Sequence, residues 1–215
     1  MGQSIYLAKP VNRLKFWKFL KKTGVNGILS GKSSKIQPVR QKEFTMADLL
    51  SVIYERKSVR SFKDGDKAIP KETLNAIIKA AFAAPSAVNL QPWHFIIIDK
   101  RDILSALGDG LPYAKMLYNV STAIIVCADT QISELYWEVD CAAATQNILL
   151  SVEALGLGAV WTAVYPEEER ISFVQKLLNL PENIIPLNVI PIGYPKGTNK
   201  AKDKYKAQKV HINEW

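Results

Sequence analysis

The alternation of apolar and polar positions changes character near residue 45. From Thr45 onward the pattern is regular. Thr45 with Asp48 has the form of a capping box, and Leu49, Leu50 and Ile53 follow at helical spacing, so a helix is predicted that ends in Arg56-Lys57-Ser58-Val59-Arg60. Pro70 opens a second helix with Leu74, Ile77, Ile78 and Ala81 on one face, and Pro85 stops it. Trp93 to Asp99 (WHFIIID) reads as a strand, and its unbroken apolar run predicts burial on both faces. Thr122 to Ala128 reads as another strand. Ser133 to Leu155 is apolar nearly all round, which predicts a long buried helix at a domain centre or a subunit interface, closed by Gly156. Ala159 to Tyr165 and Ile185 to Gly193 are predicted strands. Between them Pro166 opens a helix whose first turn, Glu167-Glu168-Glu169, suits the positive end of a helix dipole. Helices interleaved with strands in this order predict an α+β or α/β three-layer domain around a central sheet. No G-x-G-x-x-G follows a first strand, which argues against a dinucleotide-binding fold of that type.

Residues 1–44 do not continue this pattern. Val11 to Lys22 (VNRLKFWKFLKK) can wind into an amphipathic helix, with Leu14, Phe16, Trp17, Phe19 and Leu20 opposite Lys15, Lys18 and Lys22. The formal charge of the chain, +8, comes from this arm. Residues 1–44 hold ten Lys/Arg against one acid, Glu43, whereas residues 45–215 hold 18 against 19. Two domains of character follow: a basic arm, 1–44, and a regular domain, 45–215. A basic amphipathic helix packs on its own protein or lies on an anionic membrane surface, and both readings stay open. No nucleic-acid fold motif accompanies the charge, so no nucleic-acid partner is expected. Gly2 fails as a myristoylation signal because position 6 is Tyr. No secretory leader or membrane span is expected, and a cytoplasmic location is.

The residue inventory limits the chemistry. Two cysteines, Cys127 and Cys141, sit in apolar runs and read as core residues rather than a disulfide or zinc framework. Two histidines, His94 and His211, exclude a multi-histidine metal site and leave acid–base catalysis thin. What remains is polar and cationic. Arg56, Lys57, Ser58 and Arg60 crowd one helix end, where they suit a phosphate or an electron-rich ring, though cations are favoured at any helix C-terminus. Ala84 to Phe95 (APSAVNLQPWHF) offers Ser86, Asn89 and Gln91 between two prolines, a donor and acceptor set that a neutral heterocycle needs and that a self-capped loop would also use. Gly156-Leu157-Gly158 before Trp161 and Thr162 permits close backbone approach to a flat ligand. A second basic run holds Lys196, Lys200, Lys202, Lys204, Lys206 and Lys209 against Asp203.

Taken together, RKSVRSF (56–62), AAFAAPSAVNLQPWHFIII (80–98), AAATQNILLSVEALGLGAVWT (142–162), VIPIGYP (189–195) and KDKYKAQKVHINEW (202–215) resemble the FMN-dependent nitroreductase family over about residues 46–215. The resemblance implies a three-layer α+β fold with a central, mainly antiparallel sheet and an intertwined homodimer. It implies FMN as cofactor and NADH or NADPH as electron donor. Arg56, Lys57, Ser58 and Arg60 would run along the ribityl phosphate and ring edge. Pro85, Ser86, Ala87 and Asn89 would line the isoalloxazine from the other subunit, with Gln91 beside them and Gln146 nearby. Trp161 and Thr162 would offer backbone to the ring, and Lys202 and Lys204 would complete the phosphate site. No catalytic side chain or metal is then required, because the flavin carries the redox chemistry. The implied activity is ping-pong reduction of a small-molecule electron acceptor, a nitroaromatic or quinone. Alternatives are a specialised flavoenzyme of the same superfamily, dehalogenase-like in type, or a non-catalytic flavin-binding or membrane-associated module.

Overall fold

In the computed structural model, residues 46–63 and 67–215 are described. The capping pair at Thr45, the Val11–Lys22 helix and the rest of the basic arm lie outside the described residues. Five helices are described: α1 Met46–Glu55, α2 Lys71–Phe82, α3 Arg101–Gly110, α4 Trp137–Ala154 and α5 Glu168–Leu178. Six strands form one sheet: β1 Phe62–Lys63, β2 Trp93–Ile98, β3 Thr122–Asp129, β4 Gly158–Ala159, β5 Thr162–Ala163 and β6 Ile184–Pro195. Every pairing is antiparallel, in the order β1-β6-β3-β2 with β4 and β5 also on β6.

The sheet separates two cores, which gives the three layers. On one side Ile77 and Ala81 of α2 and Cys141, Ala144, Ile148 and Val152 of α4 cover Ile124, Val126, Ile190 and Ile192. On the other, Leu104 and Leu107 of α3 and Val174 of α5 cover Ile125, Cys127 and Val189. Alternation along β3 sends Ile124 and Val126 one way and Ile125 and Cys127 the other, and all are fully buried. Each such side chain contributes on the order of 1.5–3 kcal/mol by leaving water.

Three predicted elements differ in detail. The WHFIIID run is not buried on both faces: β2 is the outer strand of the sheet, and His94 and Ile97 are exposed. The long helix begins at Trp137, not Ser133, because Asp129 turns the chain first. Its side chain accepts the Gln131 N–H at 2.9 Å and its carbonyl accepts the Ile132 N–H at 3.2 Å. That helix flanks the sheet rather than crossing the domain centre, and its outer face leaves Val139 63% exposed. The strand predicted over 159–165 is two short pieces. The register places Val160 opposite Pro191 of β6, which has no N–H to donate, and the ladder lapses over Val160 and Trp161.

The close of α4 follows the sequence reading. Gly156 adopts φ 71°, its N–H meets the Glu153 carbonyl and the Leu157 N–H meets the Val152 carbonyl, each at 3.0 Å. This is a Schellman stop, sealed by burial of Leu157 against the core.

Candidate functional site

The cationic cluster at 56–60 is held in place by β6. Along the edge of β6 away from β3, the short strands β5, β4 and β1 lie end to end. Val59 is buried, and its N–H donates to the Ala159 carbonyl at 2.9 Å. Gly158 permits this approach, since a Cβ there would stand 2.8 Å from Val59 Cβ. With Val59 locked inward, its neighbours Ser58 and Arg60 are left exposed on the surface.

Two cavities open on this segment. The first, about 470 Å³, is lined by Ile53, Tyr54, Arg56, Lys202, Lys204 and Tyr205, with Ala201 before the lysines and Asp203 between them. Three residues proposed for phosphate from sequence alone thus share one wall, although 146 positions separate Arg56 from Lys202. The second cavity, about 290 Å³, has Arg60, Trp161 and Thr162 in its wall, together with Tyr113, Met116 and Arg170. Arg56, Arg60, Lys202 and Lys204 have no carboxylate partner among the described residues. Cations left uncompensated around two neighbouring cavities suit a ligand that is anionic at one end and flat and electron-rich at the other.

Lys57 differs from its neighbours. Its Nζ lies 2.6 Å from Glu153 Oε1, with both side chains mostly buried, so it ties the segment to the C-terminal end of α4. Gln146 is exposed on α4 and lines neither cavity.

The Pro85–Gln91 loop is at the other end of α4. The Ala87 N–H donates to Asp140 Oδ1 at 2.9 Å, and the Gln91 N–H donates to Ser86 Oγ at 3.0 Å. Val88, Asn89 and Gln91 have φ of 52°, 59° and 53°, and the β-branched Val88 makes that conformation costly, on the order of 1–3 kcal/mol. Val88, Asn89 and Gln91 are exposed, and no residue of the loop lines either cavity. Asp140 and Glu153, the two anchors, are thirteen residues apart on one helix, about 20 Å along its axis at 1.5 Å per residue. Within one chain the two motifs therefore do not meet.

The family assignment follows from comparison with known proteins. A family model described as Nitroreductase family matches residues 53–125 and 110–194. The chain belongs to the nitroreductase family. Among nitroreductase relatives, an Archaeoglobus fulgidus protein whose name, NADH dehydrogenase/NAD(P)H nitroreductase, is provisional is 42% identical over 176 residues, covering 79% of this chain and 100% of its own. A Parabacteroides distasonis crystal structure with the same provisional name is 49% identical, with a TM-score of 0.76 over 78% of this chain and 98% of its own. The structure of an FMN-dependent nitroreductase from Clostridium difficile is 29% identical, with a TM-score of 0.72 over 77% and 99% of the two chains. The fold is thus that of the nitroreductases, and the family match starts beyond the basic arm.

The two cysteines are buried, one in each core. Burial pushes the Cys127 thiol up to about 12, and burial with the neighbouring Cys127 and Asp140 does the same for Cys141, so neither supplies a thiolate. The described residues hold no cluster of metal-ligating groups, and no helix among them is long and apolar enough to cross a membrane. Sequence reasoning missed Asp140, Tyr113, Met116 and Arg170. Asp140 shares a helix face with Trp137, Cys141 and Ala144, where a carboxylate demands a partner. Tyr113 carries φ 60° and is 89% exposed, features no sequence pattern announces.

Proposed function

We propose that this chain is an FMN-dependent NAD(P)H oxidoreductase that reduces nitroaromatic or quinone-type acceptors by a ping-pong mechanism and works as a homodimer. The observation that carries the reading is the gathering of Arg56, Lys202 and Lys204, unpaired, around one cavity beside a second that holds Arg60, Trp161 and Thr162. The donor set fits the cofactor: cations for a phosphate, and an arginine in one wall with Trp161 and Thr162 for a ring. Membership of the nitroreductase family and likeness to the FMN-dependent Clostridium difficile enzyme support FMN, and the name of the Archaeoglobus fulgidus relative supports NAD(P)H.

Each residue then has a part. Arg56, Ser58, Lys202 and Lys204 hold the phosphate; the two lysines act as point charges where an arginine would grip with two bonds. Arg60 lies along the ring edge and favours negative charge there. Trp161 presents backbone where the ladder lapses, and Thr162 stands beside it at the start of β5. Lys57 fixes the segment through Glu153 rather than touching the ligand. Pro85, Ser86, Ala87, Asn89 and Gln91 come from the second chain, with Gln146 near them, because α4 holds the two motifs too far apart to close on one ring. Bound FMN supplies the redox chemistry, accepting reducing equivalents from NAD(P)H and delivering them to the acceptor. The protein positions both substrates in turn over the ring and keeps water out.

The second chain has a surface to cover. Val139 on α4, Leu135 and Tyr136 before it, and Ile212 and Trp215 in the tail are largely exposed. Stable obligate interfaces bury about 2,000 Å² or more, and the outer face of α4 with the tail offers apolar surface for one.

The test begins with purification and denaturation. Released FMN at one per chain, bleaching by NADH or NADPH without oxygen, and recovery of colour on adding a nitroaromatic or quinone support the reading. Parallel lines in double-reciprocal plots support the ping-pong order. A colourless protein that stays colourless with added FMN overturns it. Pelleting of the full chain with anionic vesicles, compared with residues 45–215, tests the arm.

A further inference from the structure

Arg170 stands in the wall between two recesses. One is the cavity of Arg60, Trp161 and Thr162; the other, about 220 Å³, is lined by Gly110, Pro112, Glu167, Glu169 and Arg170. Pro112 and Arg170 belong to both. The backbone N–H of Arg170 donates to the Glu167 carbonyl at 3.0 Å, which fixes its Cα in the first turn of α5. The side chain is half-buried. Glu167, the non-helical N-cap of α5, lies three positions before it, and Glu169 is adjacent. Neither carboxylate comes within ion-pair distance of the guanidinium. A half-buried guanidinium beside Met116 and Trp161 that leaves two nearby carboxylates unpaired is available to another oxyanion.

We propose that Arg170 recognises an oxyanion on the flat molecule that enters the cavity of Arg60, Trp161 and Thr162, which makes carboxylate-bearing aromatic acceptors the favoured substrate class. The inference rests on the flavin reading above and deepens it. Arg60 lies along the ring edge, so Arg170 is the cation left for the incoming molecule. A planar guanidinium grips a carboxylate with two parallel bonds, which a neutral nitro or amide group cannot match. An oxyanion could also come from the phosphates of the nicotinamide donor, and the experiment separates the two sources.

FMN-loaded wild type, Arg170→Gln and Arg170→Lys are titrated with benzoate, benzamide and ADP, and the perturbation of flavin absorbance is followed. In wild type, benzoate binds about tenfold more tightly than benzamide, the size of one charge-assisted hydrogen bond. Arg170→Gln removes that ratio and Arg170→Lys keeps part of it, while ADP binding and flavin content stay unchanged. The ratio of kcat/KM for 4-nitrobenzoate over nitrobenzene falls in parallel. Loss of ADP binding with the benzoate ratio intact assigns the residue to the donor and overturns the proposal. Equal binding of benzoate and benzamide to yellow wild-type protein overturns it too, and leaves the flavin reading standing. A protein without FMN ends the flavin reading instead.

Discussion

The contact between Gly158 and Val59 sets the position of the whole cationic segment, and Gly158→Ala tests this directly. The new Cβ would stand 2.8 Å from both Cβ and Cγ1 of Val59. Val59 cannot step aside into solvent, since it is 1% exposed and its N–H is bonded to Ala159. Overpacking of this kind costs about 1–3 kcal/mol. For a domain of this size that lowers Tm by roughly 2–12 °C, at about 2–4 °C per kcal/mol. If the strain is relieved by moving residues 58–60 outward, FMN binding must restore them, and the same energy appears as roughly 5- to 150-fold weaker affinity. Differential scanning fluorimetry of the apoprotein and quenching of FMN fluorescence on titration measure the two effects. Ile124→Val in the opposite core is the control: it costs about 0.5–1.5 kcal/mol and leaves FMN affinity unchanged. Wild-type FMN affinity in Gly158→Ala, with Tm lowered as much as or more than in the control, would refute the view that this contact positions the site.

Other outcomes follow from single contacts. Glu153→Gln removes the partner of the mostly buried Lys57 ammonium and should cost about 1–3 kcal/mol in urea unfolding, with the loss shrinking little in salt because the pair is shielded. Asp140→Ala leaves the Ala87 N–H without its acceptor; the strained Val88 turn relaxes, and FMN is held about tenfold less tightly at a fixed protein concentration, a loss of one hydrogen bond to a charged group. Cys127 and Cys141, both free and with thiols held near pKa 12, should resist Ellman's reagent at pH 8 in the native protein and react fully in guanidinium. Their linkage has a definite sign. The folded state keeps protons that the unfolded thiols release from about pH 9, so stability is intact below that and falls as pH rises towards 12. A Cys127→Ala/Cys141→Ala variant should lose this alkaline slope.

Much of the fold was legible because it depends on local patterns. The α2 face of Leu74, Ile77, Ile78 and Ala81, the αL stop at Gly156 and the buried run of β3 all follow from spacing and from one glycine. What was illegible depends on partners distant in sequence. Nothing within 159–165 shows that Pro191 faces it and interrupts the ladder. Nothing within WHFIIID shows that only one neighbouring strand exists, so an apolar run alone cannot separate an outer strand from a central one. At the site, Arg56 stood out in a cationic cluster and lysines 202 and 204 through the family resemblance, but their common cavity is a product of tertiary structure. Lys57 carries the same charge as its neighbours, and only the tertiary structure pairs it with Glu153 at the end of α4. Asp140 and Arg170 gain meaning only from what they face.

The central claim is that one flavin is enclosed by the 56–60 segment of one chain and the 85–91 loop of another. Co-expression of an Arg56→Ala chain with an Asn89→Ala chain, under two different tags, yields a heterodimer that tests it. If the motifs act across chains, both lesions fall in one site and the other is intact, so tandem-purified heterodimer retains one tightly bound FMN per pair of chains. If they act within a chain, each site carries one lesion, and the heterodimer retains flavin no better than the average of the two single-variant homodimers; that result would contradict the account.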